Sequence, residues 1–399
     1  IVVFGDGIGG DIALNARSVD VGSGSVLNAS GPTGGGTLHI GGVGQGLPLS
    51  LAGQALPNAE VTTIAADSRL SANATAKGSG GTVIAWADGT LAQARFSTAN
   101  YLAVNASGQV AVADFGNHVV RLVDAANVST LAGAPGQAGH GDGTGTNVRF
   151  NGPGGIAFDS AGNLFVADWD NHVIRRITPA GVVSTFAGSP GQPGNADGSG
   201  AAARFSNPNG LAVDAAGNVY VADWGNQTIR AITPAGVVTT LAGVAGQSGS
   251  TNGTGAAARF WLPSGLALLS GGRLVVADQG NHTLRIVNTA TGAVSTLAGT
   301  AGAGGQVDGP AASARFSSPA WVAASAAGRV FVVSAAGDTV RRVAADGSVQ
   351  TIVGVAGANA AVVTGLNPRL RNARGLWVNS AGTELLLAAD HALLRVVLP

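Results

Sequence analysis

The feature that most constrains the fold of this chain is an internal repeat of 54–56 residues. Each copy begins at an Arg-Phe dipeptide, which becomes Arg-Leu in the last copy. An active site is normally assembled once in a chain, whereas an element that occurs six times is usually a structural unit. The repeat therefore indicates a structural unit rather than an active site. The second residues of the six markers are Phe96, Phe150, Phe205, Phe260, Phe316 and Leu370.

Four short apolar runs alternate with turn residues inside each repeat. In the second repeat these runs are residues 155–158, 163–168, 172–177 and 182–187. Their Val, Ile, Leu and Phe content and their Gly, Asn, Asp or Pro boundaries predict strands rather than helices. One four-stranded sheet cannot cover both of its own faces, so six such sheets stacked around a ring predict an all-β, six-bladed β-propeller.

The repeats resemble the NHL family. The segments GNLFVADWDNHVIRRI (162–177) and GNVYVADWGNQTIRAI (217–232), followed by VVSTFAG and VVTTLAG, carry this resemblance, which extends over residues 82–399. It implies a β-propeller that acts as a binding platform. Enzymes of the family, such as the peptidylglycine amidating lyase, hold a metal through His residues on inner strands. The inner strands predicted here carry no His, so we expect no enzymatic activity, no metal and no cofactor.

An Asp and an Arg, seven residues apart, flank the second hairpin of four repeats. We predict that each pair is a buried ion pair that ties two strands between packed blades, in which loss of one partner is costly. Three His residues of the same turns are separated around the ring, so they do not predict a joint metal site. The pairs are Asp114/Arg121, Asp168/Arg175, Asp223/Arg230 and Asp278/Arg285; the His residues are His118, His172 and His282.

Four Asp-Gly steps precede the repeat markers, at Asp88, Asp142, Asp197 and Asp308. Asp-Gly is typical of turns, and Asp can also cap a short helical turn. We therefore interpret these residues as turn residues, with calcium binding as the alternative.

Residues 1–81 lack the repeat and form short alternating stretches between Gly-rich turns, which favours a β-solenoid. GTLHIGG (36–42), LPNAEVTT (56–63) and GSGGTVIAWAD (78–88) resemble the haemagglutinin-repeat exoproteins of two-partner secretion, over about residues 1–90. That resemblance implies a β-helix of the kind found in Gram-negative surface adhesins. We therefore expect a short N-terminal β-helix domain, residues 1–81, before a propeller domain, residues 82–399.

The last repeat ends without a fourth strand, and TVIAW (82–86) stands where a fourth strand is expected. We predict that it completes the sixth blade and closes the ring, because closure removes exposed sheet edges. The alternative is that these residues belong only to the upstream domain.

Composition excludes several classes of function. Formal net charge is zero with no basic run, which argues against a nucleic-acid partner. No stretch approaches the roughly 18 apolar residues of a membrane span. Cys is absent, which excludes thiol chemistry and disulfides. Met is absent too, so we expect a processed or truncated chain, and low Lys with high Gly, Ala and Val is typical of a secreted bacterial protein.

Departures from the repeat consensus predict where function lies. In the second hairpin turn, three successive repeats carry an aromatic residue: Phe115, Trp169 and Trp224. Three aromatics in exposed turns are costly to leave in water without a purpose, because each can bury some 150–250 Å². The alternative is that each packs under the loop leading into the next blade.

A second set lies at the start of the innermost strand. Gly is the consensus there, but repeat one has Tyr101 and repeat five has Trp321, and the preceding residue varies, as in Asn209 and Arg374. We expect both sets to ring one mouth of the central channel, where aromatic rings beside amide and guanidinium donors suit a sugar or peptide ligand. The alternative is that Tyr101 and Trp321 plug the channel.

Three functions fit these predictions. The first is a non-enzymatic bacterial surface or secreted protein that mediates adhesion by binding a glycan or an extracellular protein through the loop-bearing face. The second is a structural subunit that self-associates head to tail into an extracellular fibre, which needs an interface that does not close. The third is a propeller lyase or hydrolase, which would need His or carboxylate groups converging at the channel.

Overall fold

Turn residues divide each repeat into runs of five to seven residues, and these runs form antiparallel strands. The computed structural model describes residues 96–124, 127–335, 339–354, 370, 372–389 and 392–398, together with the backbone of short strands between residues 12 and 90. The strands build six successive sheets, the blades, and the prediction of an all-β six-bladed propeller is confirmed. No helix of the described residues has the length and apolar character needed to cross a membrane.

Each blade runs from an innermost strand outwards in chain order. Blade 1 is Ala99–Val104, Val110–Asp114, Val119–Val123 and Asn127–Ala132; blade 2 is Pro153–Phe158, Leu164–Asp168, Val173–Ile177 and Val182–Ala187; blade 3 is Pro208–Val213, Val219–Asp223, Thr228–Ile232 and Val237–Ala242. Blade 4 is Pro263–Leu269, Arg273–Asp278, Thr283–Asn288 and Ala293–Ala298; blade 5 is Pro319–Ala324, Val330–Ser334, Thr339–Val343 and Val349–Gly354; the described strands of blade 6 are Ala373–Val378, Glu384–Ala389 and Ala392–Val397.

The connections into blades 1 to 4 first cross the outer edge of the blade that they enter. A two-residue strand pairs with the fourth strand, as where Gly143 lies opposite Val183 in blade 2. Because the added strand is so short, the outer edge of the sheet is covered without offering a long template for pairing. These outer strands are Gly89–Thr90, Gly143–Thr144, Gly198–Ser199 and Gly253–Thr254.

Short single-turn 3-10 helices lie between some of the strands. They are Phe115–Asn117, Trp169–Asn171, Gly200–Ala202, Gly255–Ala257 and Gln279–Asn281.

Apolar side chains fill the spaces between neighbouring blades. Phe205 of blade 3 packs in one cluster with Phe165 and Ile174 of blade 2. Another cluster joins Leu102 of blade 1 to Leu393 of blade 6, so the ring is closed by packing between the first and last blades. Each blade thus buries its faces only against its neighbours.

In blades 2, 3, 4 and 6 the inner strand approaches its neighbour so closely at one position that only Gly fits there. A Cβ at Gly155 would lie 2.9 Å from the Cα of Gly210, and one at Gly210 would lie 2.9 Å from the Cα of Gly265. At the closure of the ring, a Cβ at Gly375 would lie 3.1 Å from the Cα of Tyr101. The Gly consensus of the inner strand therefore reflects backbone contact between successive blades.

The Asp/Arg pairs are buried ion pairs, as predicted. Arg175 Nη1 donates to Asp168 Oδ2 over 2.9 Å, and both side chains are fully buried. The other Asp168 oxygen accepts the backbone N–H of Asn151, and the Asn171 amide also donates to Asp168. Burial raises the pKa of Asp168 to about 6, against the lowering effects of Arg175 and these hydrogen bonds. Desolvation of the Asp168 carboxylate therefore outweighs these favourable contacts, as it can in buried ion pairs.

The buried arginines of blades 2 to 5 also bind the connection that crosses their blade. Arg175 donates to Asp142 over 2.6 Å, and Thr185 donates to the same carboxylate. Arg230 donates to Asp197 in the same way, and Arg341 to Asp308. These Asp-Gly residues thus serve as partners of arginine, where the sequence indicated turn residues or a calcium site.

The Arg-Phe marker completes this arrangement. The Arg175 guanidinium lies over the Phe150 ring, 5.2 Å from its centroid, and donates to the carbonyl oxygen of Arg149. The same stacking joins Arg230 to Phe205 at 5.1 Å. One residue of the third strand therefore fixes the second strand, the connection and the marker together.

The N-terminal strands include parallel pairs between segments far apart in sequence. Ile12–Leu14 pairs with Leu38–Ile40, Ser18–Val21 with Val61–Ile64, and Val26–Asn28 with Arg69–Ser71. Ser30–Gly31 pairs antiparallel with Gly34–Gly35, and Leu49–Leu51 with Gln54–Leu56. The β-helix of residues 1–81 stays a prediction. The predicted closing strand, residues 82–86, and Asp88 lie outside the described residues.

Adding one methyl group at Gly210 is expected to destabilise the propeller. The Gly210→Ala side chain would meet the backbone of Ser264 and Gly265, so the inner strands of blades 3 and 4 must separate. We expect a loss of about 1–3 kcal/mol in the free energy of unfolding, measured by chemical denaturation. The control is Gly141→Ala, whose added Cβ would lie 3.6 Å from its nearest neighbour and should cost less than about 0.5 kcal/mol. Equal effects of the two substitutions would contradict the close approach.

Removing one partner of a buried pair is expected to cost more than removing both charges. Arg230→Met leaves the Asp223 carboxylate buried without its cation, so the free energy of unfolding should fall by about 3–5 kcal/mol at neutral pH. Asp223→Asn combined with Arg230→Met should recover part of that loss, because the Asn oxygen still accepts from Ser206 and no charge stays buried. The control, Arg342→Met, removes an exposed arginine and should change stability by less than about 0.5 kcal/mol. Additive effects of the two core substitutions would refute this coupling.

Candidate functional site

The inner strands all begin at one face of the ring. Backbone N–H groups of the second hairpin turn in blade 1 donate to the residues just before its inner strand, with Phe115 bonded to Thr98 and Gly116 to Ser97. The same pairing recurs in blade 2, where Trp169 donates to Gly152. We call this side, which carries the second hairpin turns and the segments leading into the inner strands, the loop face.

Two aromatic side chains meet inside the ring at this end. Tyr101 of blade 1 and Trp321 of blade 5 replace the consensus Gly, and their ring centroids lie 6.3 Å apart at 59°. They are only 8% and 6% exposed. The structure therefore brings together the two aromatics that the sequence placed at the channel mouth, and both lie inside the channel rather than on the surface.

Arg374 of blade 6 joins this pair. Its guanidinium carbon lies 5.4 Å from the centroid of the Trp321 ring. Burial lowers the pKa of Arg374, which is half-buried. No carboxylate of the described residues forms an ion pair with it. The channel mouth thus contains a cation that is held against an aromatic face.

Polar residues from three more positions face the same space. The Asn209 amide donates to Ser264 Oγ over 3.0 Å, and burial raises the pKa of the Tyr101 hydroxyl well above its usual range, an effect that the Ser264 side chain opposes. We call the whole set the axial cluster. Its members are Asn100, Tyr101, Asn209, Ser264, Trp321 and Arg374.

Four buried polar atoms of the axial cluster have no hydrogen-bond partner among the described residues. They are Asn100 Oδ1, Asn209 Oδ1, Trp321 Nε1 and the Tyr101 hydroxyl, which lies near the Ser264 side chain but outside hydrogen-bond geometry. Their side chains belong to residues that are more than nine-tenths buried. Buried polar atoms are nearly always hydrogen-bonded in native proteins, so several unpartnered ones in one place need an explanation.

The aromatic residues of the hairpin turns occupy a different part of the loop face. Trp169 and Trp224 touch, with ring centroids 5.1 Å apart, and both are half-buried. Phe115 packs under the segment leading into blade 2, since a Cβ at Gly152 would lie 2.9 Å from its ring. Among the described residues, no ring contact connects these three aromatics with the axial cluster. The packing interpretation therefore fits Phe115 best.

Trp261 is an aromatic residue that the sequence reasoning missed. It is 46% exposed and packs on Gly280 in the hairpin turn of blade 4. The sequence does mark Trp261 as a departure from the consensus, because repeats one, two, three and five carry Ser or Asn at this position. It extends the apolar part of the loop face into blade 4.

The turn histidines join successive blades. His172 Nδ1 accepts the backbone N–H of Asn207, which leads into blade 3, over 3.1 Å. His118 and His282 make the same bond to Gly152 and Ser318. Burial lowers the pKa of His172, against the opposite effect of Asp170. Each of these residues therefore holds one pair of neighbouring blades together.

The axial cluster offers binding groups rather than an acid/base pair. Its amides, hydroxyls, indole and guanidinium include no carboxylate and no imidazole. Among the residues that the structure describes, no group of three or more His, Cys, Asp or Glu side chains could hold a metal ion. The chemistry available at the channel mouth is hydrogen bonding, stacking and one positive charge.

The chain contains NHL repeats. The NHL repeat matches residues 150–177, 205–232 and 260–287. Each match includes the first three strands of a blade, in blades 2, 3 and 4 respectively. Protein SUPPRESSOR OF QUENCHING 1, chloroplastic, of Arabidopsis thaliana is 30% identical over 271 residues, 64% of this chain. This chain spans 26% of the length of that relative.

Solved structures share the fold at low identity. An auxiliary nutrient binding protein from Bacteroides thetaiotaomicron superposes with a TM-score of 0.59 at 13% identity, over 78% of this chain and 75% of its own. A gluconolactonase from Xanthomonas campestris gives a TM-score of 0.53 at 14% identity, over 80% and 90% of the two chains. At these identities the likeness shows the fold alone, and that fold is shared by a binding protein and an enzyme.

Protonation of His172 is expected to weaken the junction between blades 2 and 3. The pKa of His172 is lowered in the folded state, so its contribution to stability is present above the unfolded pKa of about 6.5 and is lost as the pH falls. His172→Gln, which copies the natural Gln227 of blade 3, removes this titration. The difference in melting temperature between wild type and His172→Gln should therefore shrink from about pH 7.5 to about pH 5. A difference that is constant with pH would count against the interblade bond.

Proposed function

We propose that this protein is a non-enzymatic binding protein, located on the bacterial cell surface or secreted, that mediates adhesion through a glycan or protein ligand held at the loop face. The ligand binds at the axial cluster. The observation that carries this proposal is the convergence, beside two aromatic rings in the channel mouth, of four buried polar atoms that have no hydrogen-bond partner in the part of the chain that the structure describes.

A plug formed by packing alone would gain nothing from polar atoms at these positions. Burying a polar group without a hydrogen bond costs about 1–3 kcal/mol in protein mutational data. Apolar side chains of similar size at Tyr101 and Trp321 would fill the channel without that cost. Because polar and aromatic side chains stand there instead, a ligand that completes their hydrogen bonds accounts for the chemistry of the cluster better than packing does.

The chemistry of the cluster supports binding over catalysis. General acid–base catalysis needs a titratable group within reach of the reacting atoms, and nucleophilic catalysis needs a nucleophile with an adjacent base. Ser264 Oγ accepts from an amide, which cannot serve as a base. One fold neighbour, from Bacteroides thetaiotaomicron, is a nutrient binding protein, so the fold is compatible with ligand binding.

A glycan and matrix-protein binding array tests this proposal. The axial variant Tyr101→Ala/Trp321→Ala is compared with wild type and with the surface variant Trp169→Ala/Trp224→Ala. We expect ligands bound by the wild type to lose at least about tenfold in affinity in the axial variant, equivalent to about 1.4 kcal/mol, and to be retained by the surface variant.

Folding is the control in this experiment, because Tyr101 and Trp321 belong to the core. Circular dichroism and melting temperature are measured for each variant. Tyr101→Phe, which removes only the unpartnered hydroxyl, gives a second axial variant that should remain folded. Ligands that are indifferent to every axial variant, or bound only through Trp169 and Trp224, would overturn the placement of the site.

A further inference from the structure

We infer that the axial cluster binds a small sugar acid, a polyhydroxylated ligand that bears one carboxylate. This inference rests on the proposed function and specifies the ligand class of the same site. Three properties of the cluster carry it: its single cation, which no carboxylate of the described residues pairs, its mixture of hydrogen-bond donors and acceptors, and its depth in the channel.

The cation is Arg374. A half-buried guanidinium is stabilised by an anion, and none of the described residues supplies a carboxylate for it. The planar fork of arginine matches a carboxylate through two parallel hydrogen bonds. The Trp321 ring centroid lies 5.4 Å from the guanidinium carbon, so the ring limits the positions that the fork can take. One cation in the cluster suits a monoanion better than a doubly charged phosphate.

The unpartnered atoms call for hydroxyl groups. Two of them, Asn100 Oδ1 and Asn209 Oδ1, only accept hydrogen bonds, whereas Trp321 Nε1 only donates and the Tyr101 hydroxyl does both. A hydroxyl group donates and accepts, so a ligand with several hydroxyls can satisfy all four atoms. A simple aliphatic carboxylate would satisfy Arg374 and leave these atoms without partners.

The depth of the cluster limits the size of the ligand. Asn100, Tyr101, Asn209 and Trp321 are each more than nine-tenths buried. A ligand that reaches them must enter the channel end-on, since the inner strands surround the site. The cluster therefore fits a free sugar acid or the terminal residue of an acidic glycan rather than the middle of a polymer.

Isothermal titration of the folded protein with D-glucuronate and D-glucose tests the inference, because these probes differ only at C6, where glucuronate has a carboxylate and glucose a hydroxymethyl group. We expect D-glucuronate to bind about ten- to a hundredfold more tightly than D-glucose. Arg374→Gln should remove that preference, and Arg374→Lys should retain only part of it. The matched control is Arg395→Gln, an arginine of the same blade that is paired with Glu384 and should leave binding unchanged.

The outcomes separate this inference from the function on which it rests. Equal affinity for the two sugars, or a preference that survives Arg374→Gln, would show that the carboxylate is not recognised. Tighter binding of D-glucose 6-phosphate than of D-glucuronate would show that the site recognises a phosphate rather than a carboxylate. In each of these cases the proposed binding function would still hold if the array shows ligands whose binding depends on Tyr101 and Trp321. Blank titrations together with a blank array would overturn both.

Discussion

The rest of the propeller depends on one buried arginine in the third strand of a blade. Arg230 contacts Asp223 in the neighbouring strand, Asp197 in the connection that crosses the blade, and the Phe205 ring at the start of the repeat. A guanidinium has five donors in a fixed plane, so it can join several segments at once in a way that an ammonium cannot. The arginine therefore sets the position of the connection, and the connection in turn delivers the inner strand to the channel.

Variation among the blades shows which part of this arrangement is indispensable. Blade 5 has Ser334 where blades 1 to 4 have Asp, yet Arg341 keeps the carboxylate of Asp308. Blade 4 makes the opposite change, since Arg285 keeps Asp278 and uses Asn252 in the connection. Either carboxylate alone is thus enough to neutralise the buried cation. What does not change in these blades is the arginine and the aromatic ring beneath it.

The sequence predicted the strands, the blade count and the Asp/Arg pairs because each depends on local turn chemistry and a regular spacing. It did not predict that Asp142 pairs with Arg175, because 33 residues separate them and Asp-Gly is common in turns. Departures from the consensus singled out Tyr101, Trp321 and Arg374 as candidates for a binding site, and that role stays a prediction. Their mutual contacts depend on the diameter of the ring and on side-chain direction, which no repeat pattern encodes.

Backbone contact between inner strands leaves few positions on the channel side at which the blades can differ. Where Gly155, Gly210 and Gly265 bring neighbouring backbones together, a side chain has no room. Only blades 1 and 5 admit one, and both aromatic side chains turn into the channel, where they meet. The same packing that forces glycine on most blades therefore leaves the axis as the place where the repeats can differ without disturbing the buried arginines. A binding site confined to the axis can change with a few substitutions while the ring around it stays the same.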